Sequence, residues 1–472
     1  MIYPDLNQEI PKQLGRVHFV GIGGSGMSGI AKMMHDAGME VTGSDRSENY
    51  NTESLRGLGV EVHIGHDAKN IENADTLVIT GALWVENPEY QAALKRNLTV
   101  LHRSQALAWL SRNKKVLSVA GAHGKTTSTG MIVTGILELG ADPSFVNGGI
   151  LENIGLSARG GSDPLFVIEA DESDRSFLLY DTSIALITNV DPEHLDFYGS
   201  REAFMQAFVD FANQATQKVV ISADDPGALE VLSKIDRAKV ITFGFSKDAD
   251  LRIVEVNTEG LAKMRIKFDD NEYATELKVY GEYNAVNAAG AVATLTALGY
   301  NAGEALNAVS KFQGTKRRFE FHSETNGVKI YDDYAHHPTE VEALLTSARP
   351  VVTSGRLIAV HQPHLYSRTQ MFAKEFAEVL EAGADHTIVL DIDAAREDPV
   401  PGVTGELVSS RFVDQNKVHY EADWQKAADY LAAIAMPGDV VITMSCGIVY
   451  QIIPLLEASL QQKESRQDEP QV

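Results

Sequence analysis

The chain has 472 residues, 44% of them hydrophobic, and a formal net charge of −24. That length suits about two to four domains with several apolar cores. So acidic a surface argues against nucleic acid and anionic lipid as main partners, and a single cysteine, Cys446, excludes an internal disulfide and a cysteine-cluster metal site. In chain order, the opening MIYPDLNQEIPKQLG lacks a basic region followed by an apolar run, and no stretch reaches the ~20 apolar residues of a membrane span, so a cytoplasmic protein is expected. RVHFV then reads as a buried strand, SGMSGIAKMMHDAG as a helix closed by Gly38, and EVTGSD and TLVIT as further strands. The charged connector SRNKK ends a first domain, residues 1–113. A second, 114–320, opens with the strand VLSVAG and the helix KTTSTGMIVTGILELG, followed by two apolar strands, LFVIE and IALIT, that run into acidic loops. Residues 250–280 alternate apolar and polar, as in a small antiparallel patch, and NAVNAAGAVATLTALG reads as a helix. A third domain, 321–472, holds strands in KIYDDY, RLIAVHQPH, HTIVLDI and DVVITMS, and its polar tail SLQQKESRQDEPQV reads as disordered from about residue 460.

Two glycine-rich loops carry the chemistry. In GIGGSGMSG (21–29), Gly21, Gly23 and Gly26 fit G-x-G-x-x-G between a strand and a helix, and Asp45 falls about 20 residues later at the end of the next strand. Such a loop lets backbone amides approach a diphosphate at a helix N-terminus. A nicotinamide dinucleotide and a UDP-sugar both satisfy it, and so does a tight turn with no ligand. In SVAGAHGKTTSTG (118–130) the end is that of a phosphate loop, but only Ala122 and His123 separate Gly121 from Gly124, where the usual loop has four residues. The amides near Gly121, His123 and Gly124 would form the cradle, Lys125 would reach the β- and γ-phosphates, and Thr126 would ligate Mg²⁺.

Phosphoryl chemistry needs metal ligands beside such a loop. One strand end offers Glu169, Asp171, Glu172 and Asp174, and the other Asp191, Glu193, His194 and Asp196. In a parallel sheet both open on the face of the phosphate loop, which points to Glu169 and His194 as the metal-directed pair. Taken singly, each of these acids reads as a solvated loop residue.

In this order the motifs GIGGSGMSG, AGAHGKTTST, EADESD, NVDPEHLDFYGS, GEYNAVNA, GTKRRFE, YDDYAHHPTEV and HQPHLYSRT resemble the Mur ligase family over about residues 15–455. The resemblance implies an α/β protein of three domains: a Rossmann-like UDP-binding domain, a central P-loop ATPase domain with a mostly parallel sheet, and a C-terminal Rossmann-like domain. It also implies ATP-dependent addition of L-alanine to the lactyl carboxylate of UDP-N-acetylmuramate through an acyl phosphate, with Mg²⁺, in peptidoglycan precursor synthesis. A sister activity, which attaches a preformed tripeptide to the same UDP-sugar during wall recycling, is the alternative. A nicotinamide-dependent dehydrogenase leaves the phosphate loop and the acidic strand ends unexplained. The protein is expected as a monomer or homodimer.

By that resemblance, Gly21, Gly23, Gly24, Ser25 and Gly26, with Asp45 and Arg103, hold the UDP-sugar. Gly121, His123, Gly124, Lys125, Thr126 and Thr127 hold the ATP phosphates, Asn284 and Asn287 the adenine, and Asp333 the ribose. Arg318 reaches the phosphates, and Thr126, Glu169 and His194 hold Mg²⁺. His336, His364 and Arg368 form an amino-acid site, with Lys125, Glu169, His194, Arg318 and His336 as the catalytic set. Read without the family, Asn284 is equally a helix cap. Departures stand out: sister ligases carry a carbamylated lysine near where Phe208 falls, and this chain lacks it, as the alanine-adding branch also does. Leu365 stands where arginine is common, Tyr283 where histidine is common, and MSCGIVY replaces a glycine-rich turn.

Overall fold

The computed structural model describes residues 2–395 and 397–467 and divides into two compact units, the first mainly before Gly314 and the second mainly from Gly314 onward. The first unit carries two sheets. Five strands, β1 (Val17–Val20), β2 (Val41–Asp45), β3 (Glu61–Ile64), β4 (Thr76–Ile79) and β5 (Thr99–His102), lie in the order β3-β2-β1-β4-β5. All four pairings are parallel. β1 and β4 are buried along their whole length, as expected of strands covered on both faces.

The second sheet of this unit has ten strands: β6 (Lys115–Ala120), β7 (Ser144–Leu151), β8 (Leu156–Arg159), β9 (Leu165–Glu169), β10 (Thr182–Ile187), β11 (Lys218–Ser222), β12 (Val240–Gly244), β13 (Leu251–Asn257), β14 (Leu261–Phe268) and β15 (Asn271–Tyr280). The order is β15-β14-β13-β12-β11-β10-β6-β9-β7-β8. β6 is central and parallel to both neighbours, with Val119 opposite Glu169 and Ala120 opposite Ile187. That register brings the loops after β6, β9 and β10 out at one edge. The alternating region 250–280 is antiparallel, as β13 and β14 show.

The second unit is built on β16 (Glu320–Thr325), β17 (Val328–Asp333), β18 (Leu357–His361), β19 (His386–Val389), β20 (Val418–Tyr420) and β21 (Val440–Met444), in the order β16-β17-β21-β18-β19-β20. Among the described residues β16 pairs antiparallel with β17, and the other pairings are parallel. The polar tail departs from expectation: the helix Ile452–Gln467 runs through most of it. Leu456 and Leu460, one helical turn apart, are buried, and Lys463 Nζ donates to the carbonyls of Ala432, Ala433 and Ala435 at the end of the helix Trp424–Ile434. These contacts, with Asn326 Nδ2 donating to the Leu460 carbonyl and Ser459 Oγ to Asp429, dock a stretch whose composition reads as unstructured. The rest of that tail, 468–472, lies outside the described residues. Among the described residues no helix is long and apolar enough to cross a membrane.

The helix Arg201–Gln214, capped by Ser200 accepting from Ala203 N–H, turns Phe204, Phe208 and Phe211 inward. With Phe177 they form a fully buried aromatic cluster, Phe177 lying 4.9 Å from Phe211 and 5.3 Å from Phe208 between ring centroids. Phe208 is therefore a packing residue. Phe208→Ala is expected to cost about 3–5 kcal/mol, read as a lower denaturation midpoint of the first unit.

Candidate active site

At the first loop, the Gly23 N–H donates to Asp45 Oδ2 at 2.8 Å. A Cβ on Gly23 would lie 2.5 Å from Asn49 Nδ2 and 2.9 Å from Asp45 Oδ2, so only glycine fits. Asp45 thus ties the loop to the end of β2, which takes the Gly23 amide out of the ligand-facing set. Gly24 precedes the helix Ser25–Asp36, and Arg103 Nη1 lies 3.5 Å from where a Gly26 Cβ would be. Gly21, Gly24, Ser25, Gly26 and Arg103 therefore share one corner.

The shortened loop joins β6 to the helix Lys125–Glu138. It is pinned from β10: His123 N–H donates to Asn189 Oδ1 at 2.9 Å, and its carbonyl accepts from Thr188 Oγ1 at 2.7 Å and Asn189 Nδ2 at 2.8 Å. Gly124 has φ 82°, and a Cβ there would meet Asn287 Oδ1 at 2.4 Å. Asn287 accepts from Ser128 Oγ and donates to Asn284 Oδ1, and both asparagines are buried. Asn284 is the third residue of the helix Glu282–Ala297, so it lies inside the helix rather than at its cap. The pair expected beside a nucleotide base therefore lies against the phosphate loop.

Lys125 Nζ donates to Gly121 O at 2.6 Å, Ala122 O at 3.2 Å and Glu172 Oε1 at 2.9 Å. Burial works to lower its pKa, but the Glu172 charge and hydrogen bond outweigh it and hold it above the ordinary lysine value. Burial likewise lifts Glu172, against the pull of Lys125, to about 7. Thr126 Oγ1 donates to Glu169 Oε1 at 2.9 Å, and the other Glu169 oxygen accepts from Gly148 N–H at 2.6 Å. Asp171 pairs with Arg103 at 3.0 Å; its packed surroundings push its pKa up, and Arg103 and Lys125 outweigh them, bringing it to about 2.

His194, with a left-handed backbone at φ 53°, lies 3.8 Å from Glu193. Donor atoms of His194, Glu193 and Glu172 come within 4.8 Å of one another; Glu169 is not in that group. The expected metal pair is thus divided: Glu169 sits with Thr126, and His194 with Glu172 and Glu193. Both sets are rich in hard oxygen donors and suit a small divalent cation. Asp191 is exposed. Asp174 accepts from Ser176 N–H and turns the loop after β9.

In the second unit, two adjacent arginines differ. Arg317 donates through Nε to Asp332 at 3.0 Å and through Nη2 to Ser445 O at 2.6 Å, with Tyr334 and Tyr450 flanking its guanidinium. Arg318 stacks over Tyr334 at 5.2 Å. Asp333 accepts from Phe319 N–H and Ala335 N–H, and burial raises its pKa to about 6, opposed by Arg318. His336 Nδ1 faces the Tyr334 carbonyl at 2.9 Å, so Nδ1 carries the proton and Nε2 keeps its lone pair. Burial lowers its pKa, opposed by Glu340. Arg368 Nη1 lies 4.0 Å from Cys446 Sγ, whose pKa burial raises to about 11. Leu365, at φ 72°, is buried and precedes the helix Tyr366–Gly383, and His364 bridges to Asp393. The MSCGIVY loop is tied at its start, where Ser445 N–H donates to Asp333 O, and is turned on itself by Gly447 N–H donating to Ser445 Oγ.

Sequence reasoning missed Glu172 as the lysine's partner, and Gly148, Thr188 and Asn189 as supports. The conjunction of Glu172 with EADESD was the one local signal; the others come from strands paired across the sheet.

Comparison with known proteins gives a consistent result. Residues 16–115 match the Mur ligase family, catalytic domain, residues 119–295 the Mur ligase middle domain, and residues 317–447 the Mur ligase, glutamate ligase domain. The chain is 59% identical over 461 residues to the UDP-N-acetylmuramate–L-alanine ligase of Clavibacter sepedonicus, covering 98% of this chain and 97% of the relative. It is 43% identical over 474 residues to the ligase of the same name from Thermobifida fusca (strain YX), covering 98% and 99%. Among solved structures it is similar to the UDP-N-acetylmuramate-alanine ligase of Thermotoga maritima, with TM-score 0.80, 26% identity, and coverage of 96% of this chain and 99% of that one.

The Asp333 carboxyl has a folded pKa raised from 3.8 to about 6. Stability is therefore expected to fall as pH rises from about 4 through 6, by on the order of 2–3 kcal/mol, and to stay lost above that. Asp333→Asn removes this slope, read from denaturation midpoints at pH 4.5, 5.5 and 7.

Proposed function

The chain belongs to the Mur ligase family, and we propose that it is an ATP-dependent ligase that joins L-alanine to the lactyl carboxylate of UDP-N-acetylmuramate in peptidoglycan precursor synthesis. What carries the reading is the Lys125–Thr126 pair facing Glu172 and Glu169 at the sheet edge, in a chain 59% identical over its length to a ligase of that name. The names of the relatives favour L-alanine over a preformed tripeptide as acceptor. The cytoplasm, where ATP and UDP-linked precursors meet, is the proposed location.

A carboxylate does not acylate an amine at neutral pH, because its oxygen is too poor a leaving group. Transfer of the γ-phosphoryl of ATP to the lactyl carboxylate gives an acyl phosphate. The amine of L-alanine attacks the acyl carbon, and the tetrahedral intermediate expels inorganic phosphate. The first step brings two anions together and demands fixed positive charge. Lys125 supplies it at the γ-phosphate, with the loop amides of residues 124–127 around the phosphates; the His123 amide, expected in the cradle, is spent on Asn189 Oδ1 and pins the loop instead. Mg²⁺ would supply further neutralisation, with Thr126 and Glu169 as one set of ligands and His194, beside Glu172 and Glu193, as the other. Asn284 and Asn287 offer donors and acceptors that match an adenine edge. Arg318 is assigned to the phosphates and Asp333 to the ribose hydroxyls.

His336 suits the second step. Neutral near pH 7 and with its lone pair on Nε2, it is able to take a proton from the alanine ammonium. Arg368 and His364 are assigned to the alanine carboxylate. For the UDP-sugar, the amides of Ser25 and Gly26 at the start of the helix and the Arg103 cation are the groups on offer; the amides of Gly21, Gly23 and Gly24 are spent on Ser44 O, Asp45 and Gly21 O and shape the loop.

Phosphate release with Mg-ATP and UDP-N-acetylmuramate is expected with L-alanine and not with L-Ala-γ-D-Glu-diaminopimelate. Release with the tripeptide alone overturns the acceptor. Lys125→Ala is expected to lower ligation by about 10²–10³-fold or more while leaving UDP-sugar affinity unchanged in a binding titration. Arg368→Ala is expected to raise the KM for L-alanine about 10–100-fold, with the KM for ATP within about twofold.

A further inference from the structure

We propose that Glu172 is a positioning residue with two alternative partners, Lys125 and a divalent cation, and that exchange between them couples cation binding to nucleotide binding. The inference rests on the reading of residues 121–127 as an ATP phosphate loop. An ammonium has three N–H donors. All three of Lys125 are engaged, on Gly121 O, Ala122 O and Glu172 Oε1. Lys125 therefore cannot take a phosphate oxygen without giving up one of these. Two belong to the loop that carries it; the third is the carboxylate.

Release of Lys125 strips Glu172 of its counter-charge. The side chain is 2% exposed, and its Oε2 is buried with no hydrogen-bond partner among the described residues. A buried carboxylate with neither oxygen satisfied is strongly disfavoured unless another cation replaces the first or a proton neutralises it. The replacement site is adjacent: Glu193 and His194 place donor atoms within 4.8 Å of one another and of Glu172. Two carboxylates and an imidazole make a divalent-cation donor set. The main chain also fixes Glu172 in place, since Tyr198 Oη donates to its carbonyl. Phosphate binding thus frees Glu172 for the cation, and by reciprocity the cation frees Lys125 for phosphate.

The test is a titration of the full-length protein with Mn²⁺ alone, followed by electron paramagnetic resonance, with no nucleotide and no turnover. Lys125→Met leaves Glu172 to the cation and is expected to tighten Mn²⁺ binding about tenfold. Adding Glu172→Gln to that variant is expected to abolish the gain. No tightening in Lys125→Met, or a gain that survives Glu172→Gln, overturns the proposal. If Lys125→Met does not fold, Glu172→Gln alone decides. With EDTA present it is expected to bind ATP about three- to tenfold tighter than the parent, because its lysine is no longer held by a charge, and unchanged or weaker binding overturns the proposal. A protein that binds Mn²⁺ as expected yet releases no phosphate with L-alanine upholds the exchange and refutes the ligase reading.

Discussion

Much of the first unit's candidate site depends on one buried ammonium. Lys125 stands at the mouth of a parallel sheet whose three central strands end in carboxylates and backbone acceptors, and it neutralises the most enclosed of them, Glu172. In a chain of net charge −24, acidic groups outnumber basic ones, and the scarce cations are placed where the acids converge. Arg103 does the same for Asp171. Remove either cation and carboxylates would face each other across a poorly hydrated edge, where like charges repel most strongly.

That arrangement follows from register. β6 lies between β9 and β10, with Val119 level with Glu169 and Ala120 level with Ile187. A slip of one residue would send Glu169 to the opposite face. Gly148 gives Glu169 an amide donor from β7, and Asn189 and Thr188 clamp the phosphate loop from β10. The short loop, with two residues fewer than the common form, is thus held by side chains of the next strand.

What could be read in advance was what is local. The glycine loops, the apolar strands that precede them and the acidic runs at strand ends are contiguous in sequence, so Lys125, Thr126, Glu169 and His194 stood out unaided. Pairings across the sheet did not. Nothing near Lys125 in the chain names Glu172 as its partner, and the division of the acidic residues into a Thr126–Glu169 pair and a Glu172–Glu193–His194 group is a matter of side-chain reach. The tail misled because its docking rests on a few apolar and hydrogen-bonded residues and leaves its mean composition polar. Arg317 and Arg318 were indistinguishable as neighbours in sequence; opposite surroundings separate them.

That separation has a thermodynamic meaning. Arg317 is locked by Asp332, the Ser445 carbonyl and two tyrosine rings, and it shares Tyr334 with Arg318. The shared ring and the fixed neighbour restrict the rotamers open to Arg318 before any ligand arrives. A long, flexible side chain ordinarily loses much conformational freedom when it grips an anion. Here stacking on Tyr334 removes part of that freedom once the second unit has folded.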